Sequence, residues 1–339
     1  MTNSHSKSPS PEMVGSLIAS CLIASLTDAS FEALTGGVSS DIWKVTTPDR
    51  VFCVKQALSK LKVERDWFAP VERNEFEVAW YSVANRLVPG AAPAILMQDK
   101  PQMLFAMEFL DPSDHKLWKL ELSKGRANPA HAAEMGRRLS LIHAGTAGDK
   151  DVEALFPRTD IFQAIRLEPY LEATAVNHPD LREVLFDLSR TTGETRLCMV
   201  HGDVSPKNIL LGPDGPVILD AECACIGDPA FDLAFCLNHF LLKCLWVPAS
   251  TPDFLANFQH MTDAYLSNVS WEPPYQLEQR AARLLPGLFL ARVDGKSPVE
   301  YITDENPKEK VRKVGRALLL NPPTRLCEIS DAWAKELDQ

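Results

Sequence analysis

The stretch His201-Gly-Asp203-Val-Ser-Pro-Lys-Asn208, followed by Ile218-Leu-Asp220-Ala-Glu222, gathers carboxylates and an amide within 22 residues. A loop Asp can orient an attacking hydroxyl and accept its proton, while an Asn and a second Asp offer hard oxygen ligands that hold Mg²⁺ against nucleotide phosphates. Phosphoryl transfer needs that set. Asp203 follows the short apolar run Cys198–Val200, Asn208 opens the run Ile209–Leu211, and Asp220 closes Val217–Leu219. Pairing of the first two runs as a hairpin predicts that all three side chains meet at one end of a small sheet. A lone Asp or Asn in a loop more often caps a turn, so residues elsewhere must supply the other parts of the chemistry.

Upstream residues do so. Lys55 ends the alternating run Val51–Gln56, where an ammonium can pair with nucleotide phosphates. A helix is predicted over Arg73 to Val88, with Phe76, Trp80, Val83 and Leu87 along one stripe. It carries two carboxylates, Glu75 and Glu77, and by spacing alone either can hold Lys55. Thr35-Gly36-Gly37-Val38-Ser39-Ser40-Asp41 lies between two predicted strands, Phe31–Leu34 and Asp41–Val45; glycine and serine there leave N–H groups and hydroxyls free for phosphate oxygens. Without other support it reads equally as a plain hairpin turn.

The elements that must position these groups divide the chain. Up to Leu110 it reads as strands with one helix, Ala94–Met97 and Met103–Phe109 completing the strand set. From Asp111 it is mostly helical, most clearly at Ala130–His143 and Leu181–Ser189. The prediction is an α+β chain with a mobile tail over residues 1–14, a nucleotide-binding lobe over 15–110, and a catalytic and acceptor-binding lobe over 111–339. With 339 residues, 45 % hydrophobic and 24 % charged, the chain is long and apolar enough for two such lobes.

A net charge of −10 argues against a nucleic-acid-binding face. Eight cysteines, mostly in apolar runs, fit reduced core thiols and a cytoplasmic location. Cys223-Ala-Cys225 is spaced too closely for a zinc pair. The apolar stretch Met13 to Leu26 is too short for a membrane helix and lacks a basic leader in front of it, so a helix packed on the first lobe and no membrane association are expected.

The pattern H-G-D-x-x-x-x-N followed by D-x-E resembles the aminoglycoside phosphotransferase, choline kinase and methylthioribose kinase superfamily, over roughly residues 15 to 300. The resemblance implies a protein-kinase-like fold, ATP and Mg²⁺ as cofactors, Asp203 as catalytic base, Asn208 and Asp220 as metal ligands and Glu222 as a further acidic ligand. His201 would support the loop. The similarity of Val54-Lys55-Gln56-Ala57 through Trp67 to Glu77 with methylthioribose kinases selects Glu77 over Glu75. It further implies that Ser39 and Ser40 cover the phosphates and that Met107-Glu108-Phe109-Leu110 is the hinge whose backbone meets adenine, hence Glu108 and Leu110. Gly227-Asp228-Pro229-Ala-Phe231-Asp232-Leu-Ala matches the family's G-D-P-x-x-D-L-A, with Asp232 capping the catalytic loop and Asp228 open between loop structure and acceptor contact.

Gly202 stands where protein kinases have Arg, Asp220-Ala-Glu222 replaces D-F-G, and no A-P-E follows, so a small hydroxyl acceptor is expected rather than a protein. Aminoglycosides, amino alcohols and sugars such as methylthioribose are the candidates, acting on a monomer or homodimer. Asn208 and the lone Arg283 depart from the methylthioribose kinase pattern, whereas Glu222, Asp228 and Asp294 together would suit a cationic acceptor. Two further readings are a nucleotide-binding pseudokinase that serves as a partner-binding module and a metal phosphoesterase built on His201 and Asp203.

Overall fold

The computed structural model describes residues 8–34, 40–58 and 70–338. A short helix, α1 (Pro11–Ala19), begins inside the stretch expected as tail; Ser10 caps it by accepting from the Met13 N–H, and Pro11 starts it. Strands β1 (Ser30–Leu34), β2 (Ser40–Thr46) and β3 (Val51–Ala57), then helix α2 (Arg73–Leu87) and strands β4 (Ile95–Asp99) and β5 (Leu104–Glu108) complete the first lobe. The sheet runs β1-β2-β3-β5-β4, antiparallel throughout. Alternation along β3 sends Phe52 and Val54 into a core with Met13, Leu17 and Trp43, which α1 covers. Lys55 therefore faces the other way, towards α2.

The second lobe is mostly helical. A two-residue strand β6 (Lys116–Leu117) leads into α3 (Trp118–Ser123), α4 (Pro129–Thr146) and α5 (Lys150–Leu155). Next, α6 (Asp160–Phe162) runs into a π-helical stretch, Gln163–Glu172, and on into α7 (Ala173–Asn177) and α8 (Arg182–Glu194). Pro169 inside that stretch has no N–H to give, which suits the wider turn. Then come β7 (Cys198–Val200), β8 (Ile209–Gly212), β9 (Gly215–Ile218), β10 (Cys225–Gly227), and helices α9 (Pro229–Trp246), α10 (Thr251–Leu266), α11 (Pro274–Asp294), α12 (Glu305–Leu320) and α13 (Leu326–Leu337). No described helix is long and apolar enough to cross a membrane.

One core joins the lobes, since Phe76, Trp80 and Tyr81 of α2 pack with the apolar residues of the helical lobe. Helix α9 runs through its middle and is buried from Pro229 to Cys244. Cys53, Cys198, Cys223, Cys225, Cys236 and Cys244 are buried free thiols, while Cys21 is exposed.

The strand pairing around the motif differs from the hairpin expected. β7 pairs with β10, whereas β8 pairs with β9 and β6, in a separate sheet. Gly212, Pro213, Asp214 and Gly215 make a two-residue turn whose closure uses up β8's nearer edge on β9, and the unpredicted β10 takes the edge of β7.

Candidate active site

The catalytic-loop candidate is held from three sides. Gly202 has φ of +77°, and a Cβ there would lie 2.8 Å from the Cys223 side chain, so conformation and space both require glycine. Asp232, in the first turn of α9, accepts the His201 N–H at 2.7 Å and the Gly202 N–H at 2.8 Å. The His201 ring bridges the loop: Nε2 donates to the Leu219 carbonyl at 3.0 Å and Nδ1 accepts the Asp203 N–H at 3.1 Å. Burial keeps the imidazole neutral by lowering its pKa, against the pull of Asp232 and Asp203. These bonds match the supporting parts expected of His201 and Asp232.

Asp203 is 2 % exposed. Its Oδ2 accepts from Lys207 Nζ and Asn208 Nδ2 and meets Arg166 Nη2, each at 2.8 Å. Its Oδ1 is buried without a partner among the described residues. Burial pushes this carboxyl up, but Arg166 and Lys207 outweigh it and hold it below the ordinary carboxylate range. Asp203 is therefore an ionised acceptor with one oxygen anchored and the other free.

Asn208 and Asp220 are adjacent although their strands are not those expected. Leu219 donates its N–H to the Asn208 carbonyl at 2.8 Å, and Asn208 Nδ2 is turned onto Asp203, which leaves Oδ1 as its outward atom. Asp220 has φ of +67°, a conformation that Asp tolerates and that recurs at functional sites. Its backbone N–H donates to Tyr81 Oη at 2.7 Å, and that hydroxyl donates to Glu77 Oε1 at 2.9 Å.

Lys55 closes this circuit. Its Nζ lies 2.8 and 2.7 Å from the two Glu77 oxygens and 2.5 Å from Asp220 Oδ1. Burial alone would discharge the ammonium, yet Asp220 and Glu77 raise it and keep it charged, and Lys55 in turn holds Asp220 far below the usual range against burial. Glu75 instead pairs with Lys100 at 2.9 Å. Glu222 accepts from Arg73 Nε at 3.2 Å.

Glu108 ends β5 beside Ala94, with its own N–H on the Ala94 carbonyl at 2.9 Å, and Leu110 follows at the lobe junction. Ser40 is buried at the start of β2. Ser39, Gly36-Gly37 and Trp67 lie outside the described residues.

The three carboxylates that would suit a cationic acceptor each have a basic partner. Asp228 caps α9 through the Ala230 N–H and pairs with Arg280 at 3.0 Å, and Asp294 is taken by His178 and Arg312. With Glu222 on Arg73, all three carboxylates are already neutralised. Arg166, in contrast, had no signal in the sequence, because it belongs to no spaced motif and reaches Asp203 only through the π-helical stretch.

Asn208 Oδ1 and the Asp220 carboxylate are hard oxygens of the kind that Mg²⁺ takes, and among the described residues no group of three or more His, Cys, Asp or Glu side chains is placed to hold a metal ion.

Comparisons with known proteins bear on the family and the fold. Methylthioribose kinase from Pectobacterium carotovorum subsp. carotovorum is 24 % identical over 221 residues, covering 58 % of this chain and 55 % of that protein. The chain thus spans about half the length of the curated relatives it matches. Among solved structures, Plasmodium vivax ethanolamine kinase superposes with a TM-score of 0.57 at 13 % identity, covering 94 % of this chain and 93 % of that one. Choline kinase from Cryptosporidium parvum Iowa II gives 0.55 at 13 %, covering 97 % and 99 %. At those identities the likeness carries the two-lobed kinase-like fold alone. The family model described as Phosphotransferase enzyme family matches residues 30–272, and the chain belongs to that family.

Proposed function

We propose that this protein transfers the γ-phosphoryl group of ATP to a hydroxyl of a small molecule, with Mg²⁺ as the metal. The observation that carries this reading is Asp203, an ionised carboxylate whose Oδ2 is fixed by three donors while Oδ1 has none. In the proposed reaction Oδ1 accepts the proton of the acceptor hydroxyl as its oxygen attacks the γ-phosphorus. The bond from that phosphorus to the β-phosphate oxygen breaks, and ADP leaves. Lys55, positioned by Glu77, holds the nucleotide phosphates, and Lys207, half-exposed beside Asp203, offsets charge on the transferred group. Asn208 and Asp220 would hold the metal, which when bound neutralises charge on the phosphate oxygens. Glu222 serves that end at one remove or directly. The backbone of Glu108 to Leu110 is the proposed adenine contact, and Ser39 and Ser40 the phosphate cover.

Relatives named for methylthioribose, ethanolamine and choline set the range of acceptors to be tried, and the neutralised carboxylates above count against a strongly cationic one. The test is ADP release from ATP and Mg²⁺ across sugars, amino alcohols, aminoglycosides and hydroxy acids. Acceptor-dependent release that vanishes in Asp203→Asn while the melting curve is kept supports the proposal; full activity of that variant overturns it.

A further inference from the structure

A second group of charges lies beyond Asp203. On α9, Asp232, Cys236, His239, Lys243 and Trp246 follow at intervals of four, three, four and three residues, so the face that caps the catalytic loop continues towards His239 and Lys243. From Asp232 to His239 the rise is about 10 Å. On the π-helical stretch, Tyr170 follows Arg166 by four residues, and the Arg292 guanidinium of α11 lies 5.4 Å over the Tyr170 ring. Arg292 thus meets Tyr170, which lies four residues along the same stretch from the Arg166 that meets Asp203. The charges of Arg292, Lys243, Lys207 and Lys119 all bear on the His239 ring.

Two of these side chains, Lys243 and Arg292, are buried without an ion pair among the described residues. Lys243 is 1 % exposed and makes no hydrogen bond or ion pair with a described residue. Its Nζ instead lies 5.0 Å over Trp246 and 4.8 Å over Tyr301, contacts that offset part of the cost of burying its charge. His239 Nε2 is buried and unpartnered. Arg292 uses Nη1 on Tyr170 Oη at 3.0 Å and on Ser297, while its buried Nε has no partner and Nη2 donates to no described residue. That Nε–Nη2 edge is the fork that takes a carboxylate or phosphate through two parallel bonds. The exposed carboxylate of Glu300, whose charge bears on Lys243, is engaged by Lys119. Burying Lys243 and the open Nε–Nη2 edge of Arg292 without an ion pair costs stability whether the amine keeps its proton or gives it up.

We propose that the acceptor carries an anionic group, a carboxylate or a phosphate monoester, seated among His239, Lys243 and the Nε–Nη2 edge of Arg292, with its hydroxyl presented to Asp203. This rests on the hydroxyl-kinase reading above. The discriminating experiment pairs each anionic probe with its neutral counterpart: D-glycerate and glycerol 3-phosphate against glycerol, and D-gluconate and D-glucose 6-phosphate against D-glucose. ADP release and the thermal shift without nucleotide are both read, in the native protein and in Lys243→Met and His239→Phe.

The anionic probes should be turned over with a kcat/KM about tenfold or more above their neutral partners, and the variants should raise KM by a similar factor with kcat nearly kept. Preference between the carboxylate and phosphate arms then names the group. Lys243→Met should also melt above the native protein when no anion is added, which shows that it is folded. Turnover confined to neutral or cationic acceptors, or anionic acceptors whose KM ignores both variants, overturns the inference and leaves the kinase reading standing. Anionic probes that raise the melting temperature of the native protein but not of Lys243→Met, with no ADP release from any acceptor, would overturn the kinase reading and leave the anion site. Neither binding nor turnover of any anionic probe overturns the inference outright.

Discussion

The Arg166 guanidinium spans the catalytic-loop candidate, meeting Asp203 Oδ2 through Nη2 at 2.8 Å and donating from Nε to the Gly202 carbonyl at 2.6 Å. It is both a buried counter-charge and a clamp on the loop backbone. Arg166→Met should therefore lower kcat, and it should move the acid limb of the kcat/KM profile upwards, since Arg166 is the larger of the two charges that hold Asp203 down against burial. The sign follows from Asp203 having to be ionised to accept a proton. A variant that lost rate with an unmoved pH profile would reduce Arg166 to a packing role.

Lys55→Met leaves Glu77, buried at 1 % exposure, without its ammonium partner and with the Tyr81 hydroxyl still donating to it. Breaking such a pair from one side should cost about 3 kcal/mol of unfolding free energy, read by urea denaturation. In Lys55→Met with Glu77→Gln the stranded charge is gone, so the double variant should be more stable than the single one. Additive losses would contradict that coupling.

Asp220→Asn should abolish the extra thermal shift that Mg²⁺ adds to ATP and reduce turnover about a hundredfold or more. Glu222→Gln should cost less, about tenfold at most, because that carboxylate already serves Arg73. Equal losses in the two variants would make Glu222 a full ligand.

Lys243 supplies a prediction in pH. Burial, then the charges of Lys119 and Arg292, push its ammonium down to about 7, with Glu300 opposing; His239, Cys236, Trp246 and Tyr301 are its other neighbours. Between about 7 and the unfolded value the folded chain binds fewer protons than the unfolded one, so stability contributed at this site rises with pH. The melting advantage of Lys243→Met over the native protein should therefore shrink as pH climbs from 7 towards 10. A constant gap would mean that Lys243 keeps its proton throughout.

The parts of the site legible in the sequence are those fixed by short-range spacing. Asp203 and Asn208 share one loop, Lys55 sits on a strand whose alternation can be counted, and α2 shows its stripe and offers Glu75 and Glu77, between which spacing does not choose. Two kinds of feature escaped. The edge partner of β7 is a three-residue strand, Cys225–Gly227, too short to announce itself beside the turn that claims β8 for β9. Arg166, Lys243 and Arg292 each read as an ordinary helix charge, and only tertiary packing shows that one meets Asp203 while the other two make no ion pair among the described residues. Conversely, Glu222, Asp228 and Asp294 look available in a one-dimensional string and are paired in three dimensions with Arg73, Arg280 and Arg312.

The scattered thiols make the molecule its own unfolding gauge. Cys53 is the buried thiol of the sheet lobe, while Cys198, Cys223, Cys225, Cys236 and Cys244 lie in the helical lobe. A thiol reagent applied along a denaturant series counts how many become reactive at each step. Simultaneous release of all six would show the lobes melting as one cooperative unit through the core that α2 shares with the helices. Early release of Cys53 alone would show the nucleotide lobe opening first.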